Sequence, residues 1–327
     1  MQFLRRVFAA FAALALSTLC ATSVAHADTF PDKPIRIIVP YVPGGSTDLL
    51  ARVVAKQLTA QWGQPVIVEN HPGANGIIGA DLVAKAPADG YVIGIASPGT
   101  HAANASLYTH LPYDTVKSFT PITLAVNAPL VLVAHPSLQV KTVQELIASA
   151  KASPGKISYA SGGIGSSQHL AMELFDHMAG ISMTHVPYKG SANSYTDLLG
   201  GRVKVEFDAF TAAMPYIKSG QLIALGVAAS KRVPAFPNLP TVAESGVPGF
   251  EASSWYGFVA PANLPKDVLA KLNAGIVKAL QTPTAHDTLT GVGLVVVGST
   301  PDQFAQFIKD QMALAGKVVK WAAIKPQ

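Results

Sequence analysis

The chain has 327 residues, 49% of them apolar and only 13% charged, with a formal net charge of +5. So little charge on so apolar a chain excludes an intrinsically disordered protein and leaves no basic face for nucleic acid, and the length fits two domains or one large one. The one cysteine, Cys20, lies in a leader, which excludes a disulfide framework and a thiol nucleophile from the mature protein.

In chain order, Arg5 and Arg6 precede the apolar run Val7 to Leu19, and Ala25-His26-Ala27 supplies small residues before Asp28. The run is shorter than the ~20 residues that cross a bilayer, so residues 1–27 read as a cleaved export signal and the protein as periplasmic. Leu19 does not suit lipoprotein processing at Cys20, which leaves with the peptide. The 24 basic residues then lose Arg5 and Arg6 while all 19 acidic ones remain, so the mature charge is +3, a mild attraction for small anions.

Ile35 to Val39 reads as a buried strand, followed by the turn Pro43-Gly44-Gly45-Ser46-Thr47-Asp48 and a helix with Leu49, Leu50, Val53, Val54, Leu58 and Trp62 at helical spacing. A strand at Val66 to Val68, a glycine-rich turn at Pro72 to Gly76, a helix from Ile77 to Ala86 and a strand from Tyr91 to Ala96 follow. This alternation predicts a parallel α/β sheet. A second unit starts with the strand Leu130 to Ala134 and a helix from Val143 to Ala152, with Thr142 and Glu145 as a capping box. The strand Ile157 to Ala160 runs into a second turn, Ser161-Gly162-Gly163-Ile164-Gly165-Ser166-Ser167-Gln168-His169, and its helix carries Leu170, Leu174 and Met178 on one face. A strand at Met183 to Pro187, a helix at Ala192 to Leu199 and a strand at Val203 to Phe207, closing at Asp208, complete the unit. The last third has an extended run from Glu251 to Ala260 and helices at Pro265 to Gln281 and Pro301 to about Trp321. A return of this third to the first unit, with crossings near residues 127 and 250, predicts a hinge.

Each glycine-serine turn opens a helix and so offers free backbone N–H groups to an anion. Two such turns point to one doubly anionic ligand. Gly44 and Gly45 permit close backbone approach, Ser46 and Thr47 add hydroxyls, and Asp48 suits the first turn of a helix. Neither turn has the lysine of a phosphate loop or the spacing of a dinucleotide loop, and no G-x-S-x-G elbow surrounds Ser166. The histidines show no metal-ligand spacing, so neither metal nor cofactor is expected. His169 is placed either to contact a ligand or to pack its helix. Glu206 and Asp208 share a strand face, where two acids repel; Asp208 reads as an acceptor for a ligand hydroxyl or amine, or as a turn cap. Trp255, Tyr256, Phe207 and Phe210 wall a cleft or, as the favoured reading, pack the core.

Several strings occur in one order: Pro43 to Asp48 with Arg52, Asn70 to Gly79 (NHPGANGIIG), Pro87-Ala88-Asp89-Gly90-Tyr91, Ser161 to Leu170, His185-Val186-Pro187-Tyr188-Lys189-Gly190, Leu198 to Val203, and Leu239 to Gly246. With them the chain, from about Phe30 onward, resembles the extracytoplasmic solute receptors of tripartite tricarboxylate transporters, the Bug receptors. The resemblance implies an α/β fold of the type II-like periplasmic binding protein kind: two lobes, residues 28–127 plus 251–327 and residues 128–250, each a mainly parallel sheet flanked by helices and joined by crossing strands. It implies a monomeric receptor without catalysis that closes on a small organic carboxylate (a dicarboxylate, an amino acid or an aromatic acid) and delivers it to membrane permease subunits. Carried over residue by residue, Gly44, Gly45, Ser46, Thr47 and Asp48 from one lobe and Gly163, Gly165, Ser166 and Ser167 from the other hold one carboxylate, with Thr100, His101 and Asp208 on further loops. A second anionic group is then not required. The rivals are a sensor feeding a membrane kinase and a secreted serine hydrolase using Ser46 or Ser166 with His101 or His169.

Overall fold

The computed structural model describes residues 30–325 except 189, 234 and 235. The expected export signal, Cys20 and Lys189 of the HVPYKG string lie outside the described residues. From Lys33 onward the chain packs as one unit.

The first part runs β1 (Ile35–Val39), α1 (Ser46–Trp62), β2 (Val66–Asn70), α2 (Ile77–Ala84), β3 (Val92–Ala96) and the short α3 (Asn104–Leu107). In α1 the buried Leu50, Ala51, Val54 and Leu58 recur at three- and four-residue spacing, and Gly63 ends the helix in the left-handed region at φ 68°. β1 pairs in parallel with both β2 and β3. Then comes β4 (Phe119–Ala134), a single strand of 16 residues.

The second part continues with α4 (Val143–Ala152), β5 (Ser158–Ser161), α5 (Ser167–Ala179), β6 (Thr184–Pro187), α6 (Ser191–Leu199), β7 (Val205–Ala209), α7 (Phe210–Lys218) and β8 (Ile223–Val227). β5 pairs in parallel with β6 and β7. Thr142 Oγ1 caps α4 by accepting the Glu145 N–H at 3.1 Å, but the Glu145 carboxylate takes the N–H of Lys141, so only half of the expected capping box forms. The chain returns through β9 (Ser253–Pro261), α8 (Lys266–Gln281), α9 (Pro283–Thr290), β10 (Val295–Val296) and α10 (Pro301–Trp321).

The sheet order is β2-β1-β3-β9-β4-β7-β5-β6, with β8 and β10 also on β4. β4 is the spine, and its partners change at one point. Phe119 to Pro129 pairs antiparallel with β9, and Leu130 to Ala134 pairs antiparallel with β7 and β8. Two mainly parallel half-sheets therefore meet along antiparallel strands. The expected strand began only at Leu130, because Pro121, Asn127 and Pro129 break the apolar pattern. The register with β9 shifts beside Pro121 and again between Leu124 and Val126, which lets the strand accommodate residues poor at ladder pairing.

Val131, Val133 and Phe210 form one buried cluster on the face of β4 opposite Leu130 and Leu132. Of two further cores, Leu146, Tyr159, Met172, Phe175, Phe207 and Phe250 belong to one, and Ile38, Leu107, Phe119, Trp255, Phe304 and Ile308 to the other. α10 serves both: Phe304, Ile308 and Ala315 enter the first-part core, Val318 the second-part core, and Trp321 stacks on His177 of α5 at 4.3 Å. Where β9 crosses β4, a Cβ on Gly257 would press into the Phe304 ring and stand 2.6 Å from the Thr123 carbonyl oxygen. Gly257→Ala is therefore expected to cost about 1–3 kcal/mol of stability, the usual range for an overpacked core; chemical denaturation checks it, and an unchanged midpoint refutes it.

Candidate functional site

The first turn is shaped by one buried carboxylate. Asp48, 4% exposed, accepts the Gly44 N–H at 3.0 Å and the Arg52 Nε–H at 2.9 Å on Oδ2, and Asn70 Nδ2 at 3.0 Å on Oδ1. Burial pushes its carboxyl up, but the bonds from Arg52, the Gly44 amide and Asn70 outweigh this and hold it below the usual carboxylate range. Asp48 therefore faces its own turn and not the space beyond. The left-handed demand falls on Gly44 at φ 90°, while Gly45 lies at φ −83° as the N-cap of α1. No side chain caps this helix, so its first N–H groups stay open.

The second turn is pinned in a parallel way. Gly163 and Gly165 have φ 122° and 78°. Gly165 packs against Leu107 of α3, so this turn touches the other half of the molecule. Its N–H donates to His169 Nδ1 at 3.1 Å, and Ser166 Oγ caps α5 by accepting the His169 N–H at 3.3 Å.

Both turns face one cavity of about 800 Å³, in the ~300–1,000 Å³ range of small-molecule sites. Of the residues expected from sequence, Gly44, Gly45, Ser46, Thr47, Ser166, Ser167 and Asp208 line it. Asp48, Gly163 and Gly165 shape the turns from behind. Thr100 and His101 are 0% and 1% exposed and lie beneath the wall formed by Ser97 to Gly99. His101 Nδ1 pairs with Thr100 Oγ1 at 2.9 Å, its ring stacks on Phe119 at 4.5 Å, and burial pushes its pKa down to about 3, so it is neutral.

Asp208 ends β7 in the cavity wall at 1% exposure. Its Oδ1 accepts from Gln168 Nε2 at 3.1 Å and the Ala209 N–H at 2.8 Å, and its Oδ2 accepts the Tyr195 hydroxyl at 2.8 Å. Three donors leave room for one more on Oδ2. Glu206, two residues back on the same face, is fully buried and bonded to Ser194 at 2.7 Å; burial, then the charge of Asp208, raises its carboxyl well above the ordinary value. Burial raises the Asp208 carboxyl as well, against the bonds from Gln168, the Ala209 amide and Tyr195, so the two acids titrate as a pair.

The rest of the lining is neutral, and no Lys or Arg contributes to it among the described residues. The sequence assigns no ligand role to Tyr41, Thr211, Tyr195 and Tyr216, single polar residues that belong to no motif, and it marks Asn75 only as part of the NHPGANGIIG string. Tyr256 and its strand neighbour separate by alternation. Tyr256 and Ser254 face the cavity and hydrogen-bond at 3.1 Å, while Trp255 packs on Phe304 and Phe307 in the core, as do Phe207 and Phe210 in theirs. Ser46 Oγ meets Thr211 Oγ1 at 3.3 Å, joining the start of α1 to the start of α7 across the cavity. Ser46 and Ser166 thus spend their hydroxyls on Thr211 and on a backbone amide, not on an imidazole.

Two half-sheets joined by shared strands, with helix N-termini aimed into the space between, define a periplasmic solute-binding protein fold. Residues 50–324 match the tripartite tricarboxylate transporter family receptors (TctC), and the chain belongs to that family. It is a solute-binding receptor of that transporter class. BugT of Bordetella pertussis is 39% identical over 94% of this chain and 93% of its own length. Among solved structures, an R. palustris protein with adipate is 37% identical at TM-score 0.84, covering 91% of this chain and all of the other. MatC from Rhodopseudomonas palustris with bound malate is 31% identical at TM-score 0.79, covering 89% of this chain and all of the other. No helix among the described residues is long and apolar enough to cross a membrane.

Proposed function

We propose that the protein captures a small organic carboxylate in the periplasm, between lobes of residues 28–127 plus 251–327 and residues 128–250, and presents it to the permease subunits of its transporter without altering it chemically. Export by the signal of residues 1–27 brings it there. The observation that carries the ligand class is the uncapped N-terminus of α1, which faces the same cavity as the second turn in a wall of neutral donors. Gly45 to Thr47 and Ser166 to Ser167 take the carboxylate, Gly44, Asp48, Gly163 and Gly165 hold the two turns, and Thr100 and His101 support the wall. The adipate and malate held by two relatives support the same ligand class. Neutral donors suit a receptor that must also release its cargo.

Asp208 then reads the rest of the ligand. Its free acceptor position favours a hydroxyl or amine over a second carboxylate. Isothermal titration of ligand-stripped protein against dicarboxylates, hydroxy acids, amino acids and aromatic acids tests the class, and failure of every carboxylate to bind sinks it. Asp208→Asn is expected to weaken a hydroxy or amino acid by about tenfold, the scale of one hydrogen bond to a charged group, and to spare a plain dicarboxylate. Equal losses for both would take Asp208 out of ligand discrimination.

A further inference from the structure

The two turns are held by the same device with different chemistry. In each, a glycine N–H is turned back onto an acceptor four residues on: Gly44 onto Asp48, and Gly165 onto His169. In the first turn the acceptor is a carboxylate fixed by Arg52 and Asn70. In the second it is an imidazole, and an imidazole accepts at Nδ1 only while that nitrogen carries no proton.

The ring is buried against a second histidine. Its side chain is 4% exposed, and its ring lies 3.9 Å from that of His185 at an interplanar angle of 11°. Two stacked rings cannot both take a proton without bringing like charges face to face. Tyr159 extends the stack, 4.8 Å beyond His185. His185 Nε2 meets Ser161 Oγ at 2.7 Å, and that hydroxyl both accepts the Gly163 N–H and donates to the Gly163 carbonyl, each at 3.2 Å. Burial, and then the neighbouring His169, lower the His185 pKa to about 4. The carboxylates facing the pair all come from α5. Glu173 lies 3.6 Å from His169 Nε2, beyond hydrogen-bond length, and accepts the Tyr159 hydroxyl; Asp176, raised to about 7 by burial, accepts the Met183 N–H at 2.7 Å. The remaining ionisable groups nearby are Tyr159 on β5 and, reached through Gln168, Asp208 on β7.

We propose that His169 is a positioning residue of the solute site, packed against His185, and that its Nδ1, by accepting the Gly165 N–H, holds the second turn in its binding shape. The proposal rests on the reading of the cavity as a carboxylate site. The neutral tautomer carries its proton on Nε2, toward Glu173.

Two substitutions separate positioning from mere packing. His169→Asn places a non-titrating amide oxygen near the Nδ1 position, and His169→Ala removes the acceptor. With adipate and malate as probes in isothermal titration at pH 7, His169→Asn should bind within about threefold of wild type and His169→Ala about tenfold or more weaker, the size expected for one unsatisfied buried donor. Wild-type affinity in His169→Ala, or a loss in His169→Asn as large as in His169→Ala, overturns the proposal. If neither probe nor any other carboxylate of the panel binds wild type, the carboxylate reading fails instead. The positioning role is then read without ligand, from the ¹⁵N shifts of the His169 ring and the exchange rate of the Gly165 amide: a proton on Nδ1, or fast Gly165 exchange in wild type, rejects it.

Discussion

Gly165→Ala should leave the protein folded and weaken carboxylate binding on the order of 30-fold or more. The backbone at φ 78° costs a non-glycine residue about 1–2 kcal/mol. The new methyl also enters the space of the Leu107 side chain, which is 1% exposed and has nowhere to move. Each 1.4 kcal/mol is tenfold in affinity. The strain acts where one half of the molecule touches the other, so it is relieved by backing the second turn away from the cavity. Titration calorimetry beside a thermal melt checks this. Wild-type affinity with an unchanged melt would show that Gly165 does not set the turn.

Asp48→Ala should remove both stability and binding. It strips the acceptor from the exposed Gly44 N–H and from the half-buried Asn70 amide, which keeps its bond to the Tyr41 carbonyl, at about 0.5–1.5 kcal/mol for each bond. Arg52 is 54% exposed, so losing that ion pair adds only about 0.3–0.5 kcal/mol. A total of about 1–3 kcal/mol is expected by denaturant titration. The pH dependence follows from the same carboxylate. Its folded pKa is depressed, so its contribution is present above the unfolded value of about 3.9 and is lost as pH falls through the folded one. Wild type should therefore lose stability below about pH 4, and Asp48→Asn should lose less over the same interval. Equal acid sensitivity in both proteins would assign the acid transition to other groups.

What could be read in the sequence tracks how local the cause is. The PGGSTD and SGGIGSS strings marked both turns, since glycines after an apolar run and before an amphipathic one signal a strand-to-helix turn whatever the rest of the chain does. The parallel strands β1, β3 and β5 were legible for the same reason. The first eleven residues of β4 were not, because Phe119 to Pro129 becomes a strand through β9, which is more than a hundred residues away in the chain. β8 and α7 were likewise unassigned; α7 holds Pro215 in its interior and gives no clean helical signal. In the site, Ser46, Ser166 and Asp208 follow from turn chemistry, but Thr211 reaches Ser46 only across the fold. Asp48 and His169 were visible as residues, yet their service to the turns behind them needed the backbone trace.

The lack of lysine and arginine in the described lining of the cavity has a consequence for how solute arrives. A pocket built on arginine or lysine draws an anion from a distance of about 8–10 Å, and that pull fades as salt is added. In the site proposed above, the attraction comes from backbone dipoles and hydroxyls that act within the first turn of a helix. Association should accordingly run at nearly the same rate in dilute buffer and in seawater-like salt, so that capture is governed by solute concentration and not by the ionic strength of the medium outside the cell.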